Sequence, residues 1–262
     1  MQHFLTRRWI AIHLLTLLIV AVCVSMATWQ LRRLDHRRTE NAQISNRSRL
    51  EPVDIQSLLA RASAPPSEAE AAAFRVVDAS GTFDVSEQVI LQSRTFEGRS
   101  GNHLLTPLVL ASGEAVLVDR GWVPLPTDEA VLAESQPPSG VVAVRGALLP
   151  HERPGFMGVS DPPPGRVGAI PRVDLERLAR QLPYPVYPVY LRLQSQEPAN
   201  TGSLPEPVPM PAADEGPHME YALQWFLFAG TAFVIYIGLM RREHSRRADD
   251  ASDPEESEPV AV

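Results

Sequence analysis

The stretch HMEYALQWFLFAGTAFVIYIGLMRR, His218 to Arg242, decides how the rest of the chain is read. After Glu220 come twenty residues without a charge, Tyr221 to Met240, and then paired arginines. As a helix rising 1.5 Å per residue, such a run covers roughly 30 Å, the thickness of a bilayer's hydrocarbon core. A helix satisfies its own backbone polar groups there. Tyr221 and Trp225 open the run, where aromatic side chains settle at a membrane surface. The histidine standing just before it needs its own account.

A second apolar run lies near the other end of the chain. Ile10 to Thr28, IAIHLLTLLIVAVCVSMAT, has no Asp, Glu or Arg, and Trp9 and Trp29 bracket it. It is longer than the ~7–15 apolar residues of a secretory signal, and the WQLRR that follows is no cleavage site. It therefore reads as a retained anchor. Orientation follows from the second run. Asp214, Glu215 and Glu220 precede it, and Arg241, Arg242, Arg246 and Arg247 follow it. Arginine-rich ends stay cytoplasmic, so both termini are expected there, with residues 31–220 outside. A leader of residues 1–9 is too short for a mitochondrial presequence, which points to a bacterial plasma membrane.

Between the runs the texture is that of strands. RVVDASGTFD, QVILQSR, HLLTPLVLASG, AVLVDRGWVP and VVAVRGALLP are short β-branched segments separated by Gly, Ser, Pro and Asp. Ala111 to Glu114 makes a hairpin turn between the third and fourth. VDLERLARQL, Val173–Leu182, has helical spacing, and a short helix is expected around Val53–Arg61, ended by Pro65 and Pro66. YPVYPVYLRL, ending at Leu193, reads as a further strand whose prolines suit a sheet edge. The fold class is a membrane protein: two transmembrane helices forming a hairpin and flanking one extracytoplasmic, β-rich, antiparallel barrel or sandwich of the α+β class. The expected division is a cytoplasmic N-terminus 1–9, transmembrane helix 10–30, domain 31–195, Pro-rich linker 196–217, transmembrane helix 218–240 and disordered acidic cytoplasmic tail 241–262. Residues 31–50, polar and Arg-rich, continue the first helix beyond the membrane.

Composition narrows the function. The net charge of −7 argues against a nucleic-acid partner. One cysteine, Cys23, excludes an internal disulfide and a cysteine-held zinc cluster. No phosphate loop, nucleophile elbow or HExxH motif occurs, and the seven histidines are scattered without ligand spacing. No enzyme signature is present.

Four stretches together resemble the Surfeit locus protein one family, the cytochrome c oxidase assembly proteins. They are WQLRRLDHRRTENAQI (29–44), LQSRTFEGRSGNHLLTPL (91–108), VLVDRGWVP (116–124) and HMEYALQWFLFA (218–229). The outline resemblance covers about residues 8–245 and is poor across 50–72, 125–140 and 150–217. It implies a non-enzymatic helper in the biogenesis of haem-copper oxidase, acting when haem a reaches the catalytic subunit. It implies haem a as a transient cofactor. The implied partners are that subunit and haem a synthase, besides the lipid bilayer.

Candidate residues follow from both readings. His218 and Trp225 are seven apart, so they differ by about 20° around a helix, with Tyr221 and Ala222 between. A neutral imidazole there can ligate iron and the indole can lie against a macrocycle. The plain alternative is an interfacial histidine with a belt tryptophan. Trp29, Gln30 and Arg33, at the outer end of the first helix, are expected to meet His218 across the hairpin and to contact a haem carboxylate or the partner subunit. Their plain alternative is an anchor and a topology arginine. In VLVDRGWVP, Val116, Val118, Arg120 and Trp122 share one face and Asp119 takes the other. Arg120, with Trp122, is a candidate for a partner or a haem carboxylate, or else a structural arginine paired within the domain. Arg94, Gly98, Gly101 and Thr106 are read as structural, the glycines allowing left-handed turns. His13, one turn into the first helix, is an ionisable group inside the membrane and so a functional candidate, but it is read as a neutral histidine close enough to the surface to snorkel. Cys23 is read as a small apolar packing residue. Two rival functions stay open: a scaffold that binds only the oxidase subunit without haem, and a membrane-anchored ligand-binding or enzymatic domain.

Overall fold

A computed structural model describes residues 6–59, 61–152, 162–163, 165–210 and 214–252. In chain order the elements are α1 (Arg7–Ser48), β1 (Val53–Asp54), α2 (Ile55–Leu58), α3 (Pro66–Ala72), β2 (Val76–Phe83), β3 (Val89–Phe96), β4 (Arg99–Leu110), β5 (Ala115–Pro124), α4 (Glu129–Glu134), β6 (Val141–Leu149), β7 (Ala169–Ile170), α5 (Leu175–Gln181), β8 (Val186–Glu197) and α6 (His218–Ser252). They fall into two compact units, residues 1–42 with 214–262 and residues 43–213.

The first unit is a pair of long apolar helices. No Gly or Pro interrupts residues 7–48, so α1 runs unbroken for 42 residues. Its buried positions Cys23, Ala27, Gln30 and Leu34 step by four, three and four residues. The half-buried His13, Thr16 and Val20 continue that series toward the buried Trp9. On α6 the series is Ala222, Trp225, Ala229, Ala232 and Tyr236. Steps of four and three keep one seam facing its partner, as in a two-stranded coil. Small residues on both sides allow close approach. The helices run antiparallel, because Gln30 meets His218 and His13 meets Tyr236. Both helices are long and apolar enough to cross a membrane. The acidic tail was expected to be disordered, but α6 continues through its start to Ser252; residues 253–262 lie outside the described residues.

The second unit is a mixed sheet in the order β1-β2-β6-β8-β5-β4-β3-β7, with β2 also pairing with β4. The antiparallel expectation needs correction, since β1–β2, β3–β7 and β5–β8 are parallel pairs. The β4–β5 hairpin turns where expected, with Gly113 at φ +82° and its N–H donating to the carbonyl of Leu110. The expected edge strand is also corrected: β8 is interior, between β6 and β5. Its Pro188 is tolerated because the β5–β8 register shifts there, and β6 pairs only from Tyr190 onward. Pro65 and Pro66 do not end a helix after Arg61. Pro66 instead opens α3, where its missing N–H is no loss. The stretch expected to be a loose linker is held to the domain as far as Glu206. The N–H and carbonyl of Glu206 bond those of Trp122 at 2.8 Å, and its carboxylate grips Arg99. Residues 153–161 and 211–213, parts of the expected domain and linker, lie outside the described residues.

The domain packs an apolar cluster on each side of β5. One holds Val116 and Val118 with Ile55, Leu59 and Ala69 from the α2–α3 region; the other holds Leu117 with Leu175 and Leu178 of α5. Every residue of β5 except Pro124 is buried. Strands covered on both faces read as continuous apolar runs, so the charges within β5 need partners inside the fold. Asp119 has three. The Nδ1 of His103 lies 3.0 Å away, Arg192 donates at 3.2 Å, and the Gly121 N–H donates at 3.2 Å. Burial pushes the Asp119 carboxyl up, but the His103 hydrogen bond, the charges of His103 and Arg192 and the Gly121 N–H outweigh it and hold the group below its usual value.

A carboxyl with a depressed folded pKa stabilises the fold above its unfolded value, about 3.9. That contribution is lost as pH falls through the lower folded value. Asp119→Asn leaves Arg192 buried beside a neutral amide, and breaking a buried pair costs roughly 3–5 kcal/mol. Thermal unfolding of the full chain in detergent at pH 7 is expected to show a midpoint lowered by on the order of 10 °C. The difference from wild type should shrink below about pH 4. An unchanged midpoint at pH 7 would refute this account of the cluster.

Candidate functional site

The candidate residues separate into two places, one in each unit. In the helix pair, the imidazole of His218 opens α6 and is half-buried, and Gln30 is buried on the facing seam. His218 Nδ1 lies 2.9 Å from Gln30 Oε1. A carbonyl oxygen only accepts, so Nδ1 donates to it; in the neutral ring that tautomer leaves the lone pair on Nε2. A histidine ligating a metal donates its other ring N–H in this way, which fixes tautomer and ring orientation. Trp225 lies two turns further along the same seam, its ring edge-on to Phe228 at 5.8 Å. Tyr221 stands beside the seam, 48% exposed. Of the three residues expected to meet His218 from α1, only Gln30 does so. Trp29 and Arg33 face outward and pair with each other, the guanidinium 5.7 Å from the indole centroid.

At the other end of the seam, the Tyr236 hydroxyl and His13 Nδ1 are 3.0 Å apart and their rings meet edge-to-face. The two polar contacts are separated by 17 residues of α1 and 18 of α6. That is about 26 Å of helix, close to the depth of a hydrocarbon core. His13 thus has a named partner that helical periodicity did not supply.

In the domain, Arg120 and Trp122 are 2% exposed. Arg120 projects from the face of β5 opposite Asp119 and meets no carboxylate among the described residues. Its Nη1 donates to Gln88 Oε1 and its Nη2 to Asn200 Oδ1, each at the long distance of 3.5 Å; its Nε finds no acceptor among the described residues. The Phe83 ring lies 5.4 Å below the guanidinium. Burial pushes the Arg120 guanidinium down to about 10, which leaves it charged at neutral pH. Trp122 meets the Phe96 ring, centroids 6.3 Å apart, and the Arg99 guanidinium, 4.4 Å from its centroid. Gly98 does take the left-handed turn, at φ +76°, but Gly101 does not. Gly101 is required because a Cβ there would lie 2.3 Å from the Trp122 indole nitrogen. Gly121, at φ +128°, makes room for the Glu206 carbonyl.

Reading the sequence missed the partners of these groups. Gln88, His103, Arg192 and Asn200 come from β4, β8 and the segments before β3 and after β8, and nothing local to any of them signals the meeting. Among the described residues no group of three or more His, Cys, Asp and Glu can hold a metal ion.

Comparison with known proteins bears on the whole chain. A model of the SURF1 family matches residues 17–230. An uncharacterized SURF1-like protein of Mycobacterium tuberculosis is 29% identical over 276 residues, 97% of this chain and 92% of the relative. The mouse Surfeit locus protein 1 is 27% identical over 243 residues, 86% of this chain and 75% of its own length. The yeast cytochrome oxidase assembly protein SHY1 is 30% identical over 112 residues, 42% of this chain and 27% of its own. The family model covers α1 from residue 17, the sheet and α6 as far as residue 230, including Gln30, Arg120 and His218, and the chain belongs to the SURF1 family.

Proposed function

We propose that this chain is a membrane-anchored assembly factor for haem-copper cytochrome c oxidase, and that it holds haem a on its way to the oxidase's catalytic subunit. The yeast relative is named as a cytochrome oxidase assembly protein, which supports the general role. In this reading α1 and α6 cross the plasma membrane as a hairpin. Leu17, Leu18, Leu227 and Val234 are each at least 60% exposed on the helix pair. An apolar surface of that extent is unfavourable in water and suits lipid. The arginines after Met240 set that end of α6 in the cytoplasm, so both termini lie there and residues 43–213 lie outside. The domain serves the catalytic subunit and is not an enzyme.

The observation that carries the haem reading is the bond between His218 and Gln30. In the neutral ring it leaves the lone pair on Nε2, and it holds the imidazole in one orientation at the outer end of an apolar seam. A haem a cargo would fit these residues: Nε2 would take the iron and the Trp225 and Tyr221 rings would offer apolar faces, while the outward-facing Trp29–Arg33 pair suits the partner subunit. An apolar macrocycle gains from leaving water at such a site.

Purification from a host making haem a is expected to yield a Soret band that His218→Ala abolishes. Gln30→Leu should keep the band but weaken haem affinity by about 10–100-fold, because the ligand's orientation is lost while the ligand remains. Circular dichroism of both variants checks that the helices persist. Full haem retention by a folded His218→Ala protein would overturn the site. Separately, a strain lacking the gene should show a diminished haem a band in its reduced-minus-oxidised membrane spectrum, and an unchanged oxidase spectrum would refute the assembly role.

A further inference from the structure

The domain holds a second candidate site that the haem reading does not use. A pocket of about 320 Å³ opens between Arg120, the end of β8 and the loop after it, and Gln196, Asn200 and Ser203 are among its lining residues. That volume lies at the lower end of small-molecule sites. Its floor holds an under-satisfied cation. The two amide oxygens that face Arg120 are already engaged, since Gln88 Oε1 accepts from Thr106 at 2.9 Å and Asn200 Oδ1 accepts from Gln196 at 3.1 Å. Gln196 also leaves its Oε1 buried with no donor among the described residues. A buried charge needs an opposite charge, and a buried acceptor needs a donor.

We propose that this pocket binds a small monoanionic carboxylate that also carries a hydroxyl or N–H donor, a hydroxycarboxylate being the simplest class. The planar guanidinium matches a planar carboxylate through two parallel bonds, both charge-assisted and shorter than the 3.5 Å contacts it now makes. One cation calls for one negative charge, which disfavours a phosphate dianion. The ligand's donor answers Gln196 Oε1. The site belongs to residues 43–213 and stands or falls independently of His218.

The test is thermal unfolding of the full chain in detergent with sodium lactate, sodium propionate, inorganic phosphate or sodium chloride at matched ionic strength. Lactate is expected to raise the midpoint saturably by about 5 °C, propionate by less, and phosphate and chloride not at all beyond their common salt effect. Arg120→Gln removes a buried charge that lacks a counter-ion, so it should unfold no lower than wild type and should ignore lactate. Asn200→Asp sets a carboxylate beside Arg120 within the chain. It should raise the midpoint and remove the lactate response, and it decides the matter even where Arg120→Gln fails to fold. The proposal is overturned if neither carboxylate moves the wild type, if phosphate matches lactate, or if Asn200→Asp responds to lactate as the wild type does.

Discussion

A polar group taken out of water has to find a partner, and this constraint shapes both units of the chain. In the domain it acts on β5, a strand covered on both faces that carries two adjacent charges. Alternation sends Asp119 to one side and Arg120 to the other. Asp119 is met by His103, Arg192 and a backbone N–H. Among the described residues Arg120 meets only neutral oxygens at long range and an aromatic face. The same strand thus contains one satisfied charge, which fastens β4 and β8 to it, and one unsatisfied charge beside a cavity.

The helix pair repeats the pattern in another medium. Its seam is built largely from small and apolar residues, and two polar pairs sit within it: Gln30 with His218, Tyr236 with His13. The difference lies in what each pairing leaves over. An imidazole has two nitrogens, and in the neutral ring a bond from one to an amide oxygen leaves the lone pair on the other. His218 therefore leaves a coordinating atom free at the end of the seam. In both units the proposed site sits at the group with spare bonding capacity.

Much of this was legible beforehand, and the gaps have a physical cause. Apolar length and flanking charge identified α1 and α6, and the Gly-Pro-Ser punctuation located β2 to β6. Arg33 stacks on Trp29 because a four-residue spacing within one helix places such positions side by side. Strand neighbours are different, since they are chosen by contacts far apart in sequence. Hence β8, read as an edge from its prolines, proved interior, with Pro188 absorbed by a shift of register. Gly101 was attributed to a turn when it answers to an indole pressed against its α-carbon. At the candidate sites, His218, Gln30 and Arg120 stood out by type and position, whereas Asn200 and Gln88 are unremarkable amides until the fold brings them to the guanidinium.

The segment that leaves β8 is fixed at two points, by its strand pairing up to Glu197 and by the backbone bridge between Glu206 and Trp122. About half of the wall above Arg120 is cut from this single run of chain, and most of the rest from the end of β8. Such a wall can lengthen, shorten or change its side chains between two anchors without disturbing the sheet, because spare loop length carries little entropic penalty. Selectivity at that mouth is therefore free to drift among descendants of this sequence, while the charge beneath it stays put.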